Sequence, residues 1–217
     1  MTKFTNFIEI EKGGIDPKNR SPFEIAMGRF NCAQGRIAQL EEAPDRANYE
    51  TLWNEFALEL EASWKAFIYE GNKLSTEFQS WAGKFVGQRR SDKLLIYLTQ
   101  SRHIAMHKLI SLDWETPKIE VKAKLDRPFS IREFKIFADG TQEIEFKDEV
   151  PGNEPKFVTK HGKALLPQIH NGQNDKTFDP PTSHLGNAIG SRDPVHAAKL
   201  GVEFYSQIYN AALEKFL

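Results

Sequence analysis

Hydrophobic residues recur at three- and four-residue spacings up to about Trp114, then pass into short two-residue alternations between turn signals. The first helical period opens at Ser21-Pro22-Phe23-Glu24: Ser21 can cap, Pro22 suits the first helical position, and Glu24 completes a capping box. Phe23, Met27, Phe30, Ile37 and Leu40 then line one face, with Cys32 read as a small core residue. Pro44-Asp45 interrupts. Tyr49, Leu52, Trp53, Phe56, Leu60, Trp64, Phe67 and Ile68 predict a second helix over residues 47–70, ended by Gly71-Asn72. A third helix is predicted over 75–88, with Phe78, Trp81, Ala82 and Phe85 inward, and a fourth that starts after Ser91 and reaches about Asp113. Connections this short favour antiparallel neighbours, hence a bundle.

Beyond Pro117 the period changes. Ile119, Val121, Ala123 and Leu125 alternate with charged residues, as a half-buried strand does. Residues 129–137 read as another strand, Asp139-Gly140 as a turn, and Ile144 with Phe146 as the return. Phe157-Val158 and Leu165-Leu166 flank the turn-like His161-Gly162, which predicts a further hairpin. Residues 167–192, rich in Pro, Gly, Asn, Asp and Ser, read mostly as loop. Asp193-Pro194 then opens a final helix striped by Val195, Ala198, Val202, Tyr205, Ile208, Ala212 and Phe216. The predicted class is α+β: an N-terminal antiparallel helical bundle, a small antiparallel β-sheet, and a C-terminal helix. The predicted divisions are an N-terminal segment at 1–20, the bundle at 21–114, and the sheet, loop and last helix at 115–217.

Composition narrows the function classes. The 217 residues hold 29 Lys plus Arg against 30 Asp plus Glu, so bulk charge does not drive nucleic-acid binding. A single cysteine excludes an intramolecular disulfide and a cysteine metal cage. No apolar run reaches the ~18–20 residues of a membrane span, and no basic-then-apolar signal peptide opens the chain. The expectation is a cytoplasmic protein with no membrane partner. Neutrality hides a local excess, however. Across residues 84–108, Lys84, Arg89, Arg90, Lys93, Arg102 and Lys108 are opposed only by Asp92, a balance of +5.

That excess surrounds the fourth helix. At about 100° per residue, Leu94, Ala105 and Leu109 fall beside Leu98, while Ile96, His103, His107 and Ile110 point away from it. A second semi-apolar face makes this helix either central in the bundle or a contact with another subunit. On it, Arg102-His103-Ile104-Ala105-Met106-His107 resembles the Arg-x4-6-His motif of HEPN domains, including the polar residue that often follows the arginine. The setting is also similar, a helical bundle with the motif on a late helix, and the aromatic-rich second helix looks like those of uncharacterised bacterial HEPN-like proteins. The resemblance covers roughly residues 21–113.

It implies a homodimer through the helix around 91–113, with a metal-independent endoribonuclease site at the interface and no cofactor. His107 would transfer protons, Arg102 would clamp the phosphate and His103 would orient them. Lys84, Arg89, Arg90, Lys93 and Lys108 are the expected RNA-binding cations. Three other readings stay open. Arg102 could pair structurally with an acid in the bundle. His103 and His107, four residues apart, could share a metal, although the Glu of His-Glu-x-x-His is missing. The chain could also be a non-catalytic dimeric interaction or ligand-binding protein that uses the bundle as a scaffold. His161, His170, His184 and His196 lack ligand spacing and read as solvated or turn residues.

Overall fold

A computed structural model describes residues 23–43, 45–115, 118–122, 131–136, 142–146, 156–160 and 162–217. Among them are five helices: α1 (Glu24–Glu41), α2 (Arg46–Leu74), α3 (Thr76–Ser91), α4 (Lys93–Ala105) and α5 (Pro194–Phe216). Ten short strands, all in antiparallel pairs, lie between α4 and α5. The fold is α+β, as the periodicities predict.

Four helices begin on a side chain that accepts an otherwise orphaned N–H: Asp45 from Asn48, Ser75 from Phe78, Asp92 from Leu95 and Asp193 from Val195. The Ser21 cap predicted for α1 lies outside the described residues. The N–H groups of Phe23 and Ala26 instead meet the Glu70 carboxylate of α2.

The helix boundaries hold two corrections. Gly71-Asn72 does not stop α2, which continues to Leu74. Gly71 is small for a different reason: a Cβ there would sit 2.1 Å from the Phe78 ring. The fourth helix, predicted to reach residue 113, ends at Ala105. Asn54 and Glu50 of α2 capture the chain beyond it. The Ile110 N–H donates to Asn54 Oδ1 at 2.9 Å, the Asn54 amide donates back to the Ile110 carbonyl at 3.2 Å, and the Leu112 N–H donates to Glu50 Oε1 at 3.0 Å. Ile110 and Leu112 are thereby buried, while Leu109, predicted to face the core, is exposed. Cys32 is exposed too, and Ala33 takes the core position beside it.

Packing centres on an aromatic cluster shared by α1, α2, α3 and α5. Phe67 lies 4.5 Å from Tyr209, 4.9 Å from Phe23 and 5.3 Å from Phe78, measured between ring centroids. Polar atoms carried inward are bonded: Tyr209 OH with Ser63 Oγ at 2.6 Å, and Tyr97 OH donating to the Pro167 carbonyl at 2.8 Å. Beside the cluster Arg89 of α3 turns inward. It pairs with Glu61 of α2, donates to Thr99 of α4 at 2.9 Å and to Tyr205 OH of α5 at 2.6 Å, and stacks over Trp64. Burial pushes the Tyr205 phenol up, so it stays neutral beside the guanidinium, whose charge works the other way.

The described residues form two compact units. One comprises those up to Leu112 together with Leu166–Leu217; the other is Asp113–Leu165. The closing helix is thus part of the helical unit, where α5 contacts α1, α2 and α4. In the second unit, β1 (Asp113–Trp114) pairs with β6 (Ala164–Leu165), β2 (Lys118–Lys122) with β5 (Lys156–Lys160), and β3 (Ile131–Ile136) with β4 (Gln142–Phe146). From Asp113↔Leu165 to Ile136↔Gln142 the registers are symmetric about position 139, with one shift between Ile131 and Glu133. Asp139-Gly140, the predicted turn, lies outside the described residues. The hairpin predicted between residues 157–158 and 165–166 does not form, because β5 pairs back to β2 and β6 to β1.

The stretch predicted as loop at 167–192 carries two short hairpins, β7 (Ile169–Asn171) with β8 (Lys176–Phe178) and β9 (Ser183–His184) with β10 (Asn187–Ala188). Both β7 and β9 contact α4. With α2, α3 and α5 also against it, α4 is central in its unit, which accounts for its second semi-apolar face.

Two predictions test this packing. Gly71→Ala drives a methyl into a ring that Phe23, Phe67, Trp81 and Phe216 already surround, and should cost about 1–3 kcal/mol in denaturant unfolding. A cost under a few tenths would show that Phe78 can yield. Arg89→Met leaves Glu61 charged and unpaired, for an expected loss of about 3–5 kcal/mol, whereas Arg89→Met combined with Glu61→Leu should recover most of it. A double variant as unstable as the single one would show that the pair acts through something other than charge compensation.

Candidate functional site

The C-terminal end of α4 carries the motif residues, and the capture of Ile110 by Asn54 decides how they are displayed. Arg102 and His103 occupy the last turn of the helix, where cations also favour the negative end of the helix dipole. His107 follows the helix in a turn, its N–H bonded to the Ile104 carbonyl at 2.9 Å. It is therefore not one regular helical turn beyond His103, as the four-residue spacing implies. Arg102 and His103 are half-buried; Met106, His107 and Lys108 are exposed.

Arg102 forms no side-chain hydrogen bond or ion pair among the described residues. The structural pairing with an acid, open from the sequence, is not made there. His103 is held below its ordinary imidazole value, first by burial, then by Arg102 and Lys65, with His107 adding to them against Glu61. Lys65 of α2 is an exposed cation near this cluster that the sequence reading passed over. Its signal was faint: it follows Glu61 by four residues and Trp64 by one, on a helix read for its apolar face alone. The His107 ring meets Gln173, from the turn between β7 and β8, at 3.2 Å.

The expected RNA-binding cations do not form one surface. Arg89 corrects that set, because its guanidinium is spent inside the bundle on Glu61, Thr99 and Tyr205. Arg90 and Lys93 are exposed on either side of the α3–α4 turn, and Lys93 Nζ lies 3.3 Å from Thr182 Oγ1. Nine residues of helix separate Lys93 from Arg102, roughly 13 Å at 1.5 Å per residue. Lys84 is exposed on α3, its ammonium over the Phe85 ring. Only Lys108 adjoins the motif, one residue beyond His107. The local excess of charge therefore divides between the two ends of α4 and the interior.

At the other end, Asp92, which the sequence shows only as the single acid among the local cations, forms a cluster with His184, expected to be a solvated or turn residue. Both side chains are largely buried. Asp92 Oδ1 accepts from the Leu95 N–H and lies 3.0 Å from His184 Nδ1, while its Oδ2 accepts the Leu185 N–H at 2.7 Å. Leu185 takes a positive φ of 48° and Gly186 one of 83°, the two-residue turn that joins β9 to β10. The helix cap thus doubles as an anchor for a strained turn. Burial works against the Asp92 charge, but the N–H groups of Leu185 and Leu95 and the His184 ring outweigh it and hold the carboxyl below its ordinary range.

Among the described residues, no three His, Cys, Asp or Glu side chains are placed to hold a metal ion, and no helix is long and apolar enough to cross a membrane. His170 is exposed 3.5 Å from Asp175, His196 is exposed, and His161 lies outside the described residues.

A carboxylate that is more acidic in the folded state stabilises the fold above its ordinary value of 3.8 and loses that contribution as pH falls towards the lower folded value. Asp92→Asn should therefore flatten the acid limb of stability when unfolding is followed from about pH 6 to about pH 3. An acid limb identical to that of the parent chain would show that Asp92 titrates alike folded and unfolded. No family model, curated protein or solved structure matches this chain.

Proposed function

We propose that the chain is a metal-independent endoribonuclease of HEPN type, acting as a homodimer through the end of α4. The observation that carries the reading is Arg102, a half-buried guanidinium with no partner among the described residues, followed in the chain by half-buried His103 and exposed His107. A permanently charged fork left unpaired beside a histidine suits a phosphodiester that changes charge during reaction. His107 takes the proton of the ribose 2′-hydroxyl, and the 2′-oxygen bonds to phosphorus. The bond from phosphorus to the 5′-oxygen breaks, and that oxygen takes a proton from solvent. The products are a 2′,3′-cyclic phosphate and a 5′-hydroxyl. Arg102 stabilises the charge on the phosphorane, and His103, held below its ordinary imidazole value by burial and by Arg102 and Lys65, is the orienting polar group beside it. RNA approaches over Lys65 and Lys108, not over Arg89.

A second reading, a dimeric interaction protein without catalysis, is favoured by one observation. Met106 and Leu109, 53% and 65% exposed, flank His107 and offer an apolar contact. Cleavage of a mixed single-stranded RNA in the presence of a chelator separates the two. Arg102→Ala and His107→Ala should each lower the rate by about 10²–10⁴-fold, with cyclic-phosphate ends on the products of the parent chain. Equal rates in parent and variants, with a dimer still seen by sedimentation, would sink the enzyme reading and leave the second.

A further inference from the structure

The β7–β8 turn reaches the motif through two amide side chains. Asn171, at the end of β7, is 7% exposed. Its Nδ2 donates to Gln100 Oε1 on α4 at 2.8 Å, and its Oδ1 accepts the Gln173 N–H at 3.0 Å. A buried amide bonded to the helix that carries Arg102 and His103 thus fixes where Gln173 leaves the turn. From there the Gln173 side-chain nitrogen reaches His107 Nε2 at 3.2 Å.

An amide nitrogen has only hydrogens to offer, so Nε2 is the acceptor and a neutral His107 ring carries its hydrogen on Nδ1. Among the described residues no other side chain bonds to this exposed ring. We infer that Gln173 is a positioning residue for His107: it selects the Nδ1–H tautomer and so presents Nε2 as the basic nitrogen. The inference rests on the reading of His107 as the proton-transfer group. A ribose 2′-hydroxyl is a hydrogen-bond donor like the Gln173 amide, so it replaces that amide at the same lone pair without any change of tautomer. The short hairpin after the second unit thereby acquires a part in the site.

Long-range ¹H–¹⁵N spectra of the full chain, recorded where the His107 ring is neutral, read the tautomer directly and need no substrate. Nδ1–H is expected in the parent chain. Gln173→Ala should move the tautomer ratio towards Nε2–H by about fivefold, the worth of one exposed hydrogen bond. Gln173→Glu, which replaces a donor by an acceptor, should invert it. Because Gln173 is exposed, both variants keep the fold, as far-UV circular dichroism will verify. In RNA cleavage, Gln173→Ala should lower kcat severalfold and leave KM unchanged. A tautomer ratio that is the same in all three proteins overturns the inference, as does an unchanged kcat in a chain that cleaves RNA. If the parent chain does not cleave RNA, the ribonuclease reading falls by itself, and the spectra still decide what Gln173 does to His107.

Discussion

A guanidinium set among aromatic rings is tolerable only when its charge is matched and its hydrogens are taken, and Arg89 meets that condition by drawing on every helix around it. Glu61 supplies the charge from α2, Thr99 and Tyr205 supply oxygens from α4 and α5, and Trp64 supplies a ring face. Removing Glu61, Thr99 or Tyr205 leaves a polar atom short of a partner at a largely buried place, so the four helices are specified together. The interaction is costly to break and of little net benefit compared with a hydrocarbon core, so its weight is in register. It holds α3 against α4 close to the turn at Asp92, and that turn decides where α4 begins.

The other end of α4 is decided by a second polar intrusion into an apolar face. Asn54 lies seven residues before Glu61 on the buried side of α2, and its amide satisfies both backbone groups of Ile110. The chain leaves the helix through a turn instead of continuing it, which buries Ile110 and Leu112 and leaves Met106 to Leu109 on the surface. The motif histidine is displayed on a turn because an asparagine on a different helix competes successfully for the backbone. Cations that look contiguous in the chain are sorted by the same two devices: one goes inward, some stay near Asp92, and some gather with His103 and His107.

Much of the architecture was legible. The three- and four-residue periods located the helices, Asp193-Pro194 marked the last of them, and the alternation after Pro117 marked the strands. Local signals carry that information because a helix needs only its own face and its own caps. The misreadings share one cause. Gly71 looks like a terminator until the Phe78 ring is found against it, Cys32 looks like core until Ala33 is seen to fill the space, and His184 looks solvated until Asp92 is found beneath it. Each is settled by what packs against the residue in space, which periodicity and capping along the chain do not record.

By itself, then, the order of residues determined the class of the fold, the helix starts and the concentration of cation, Arg102, His103 and His107 around one helix. Periodicity and capping are properties of neighbours along a chain, and they survive without tertiary context. Which cations remain outside, where α4 stops, and that Gln173 meets His107 were decided only by the tertiary structure. Hydrogen bonds and ion pairs between segments well separated in the chain leave no periodic trace, because their energy depends on burial and distance, and both exist only once the helices have packed.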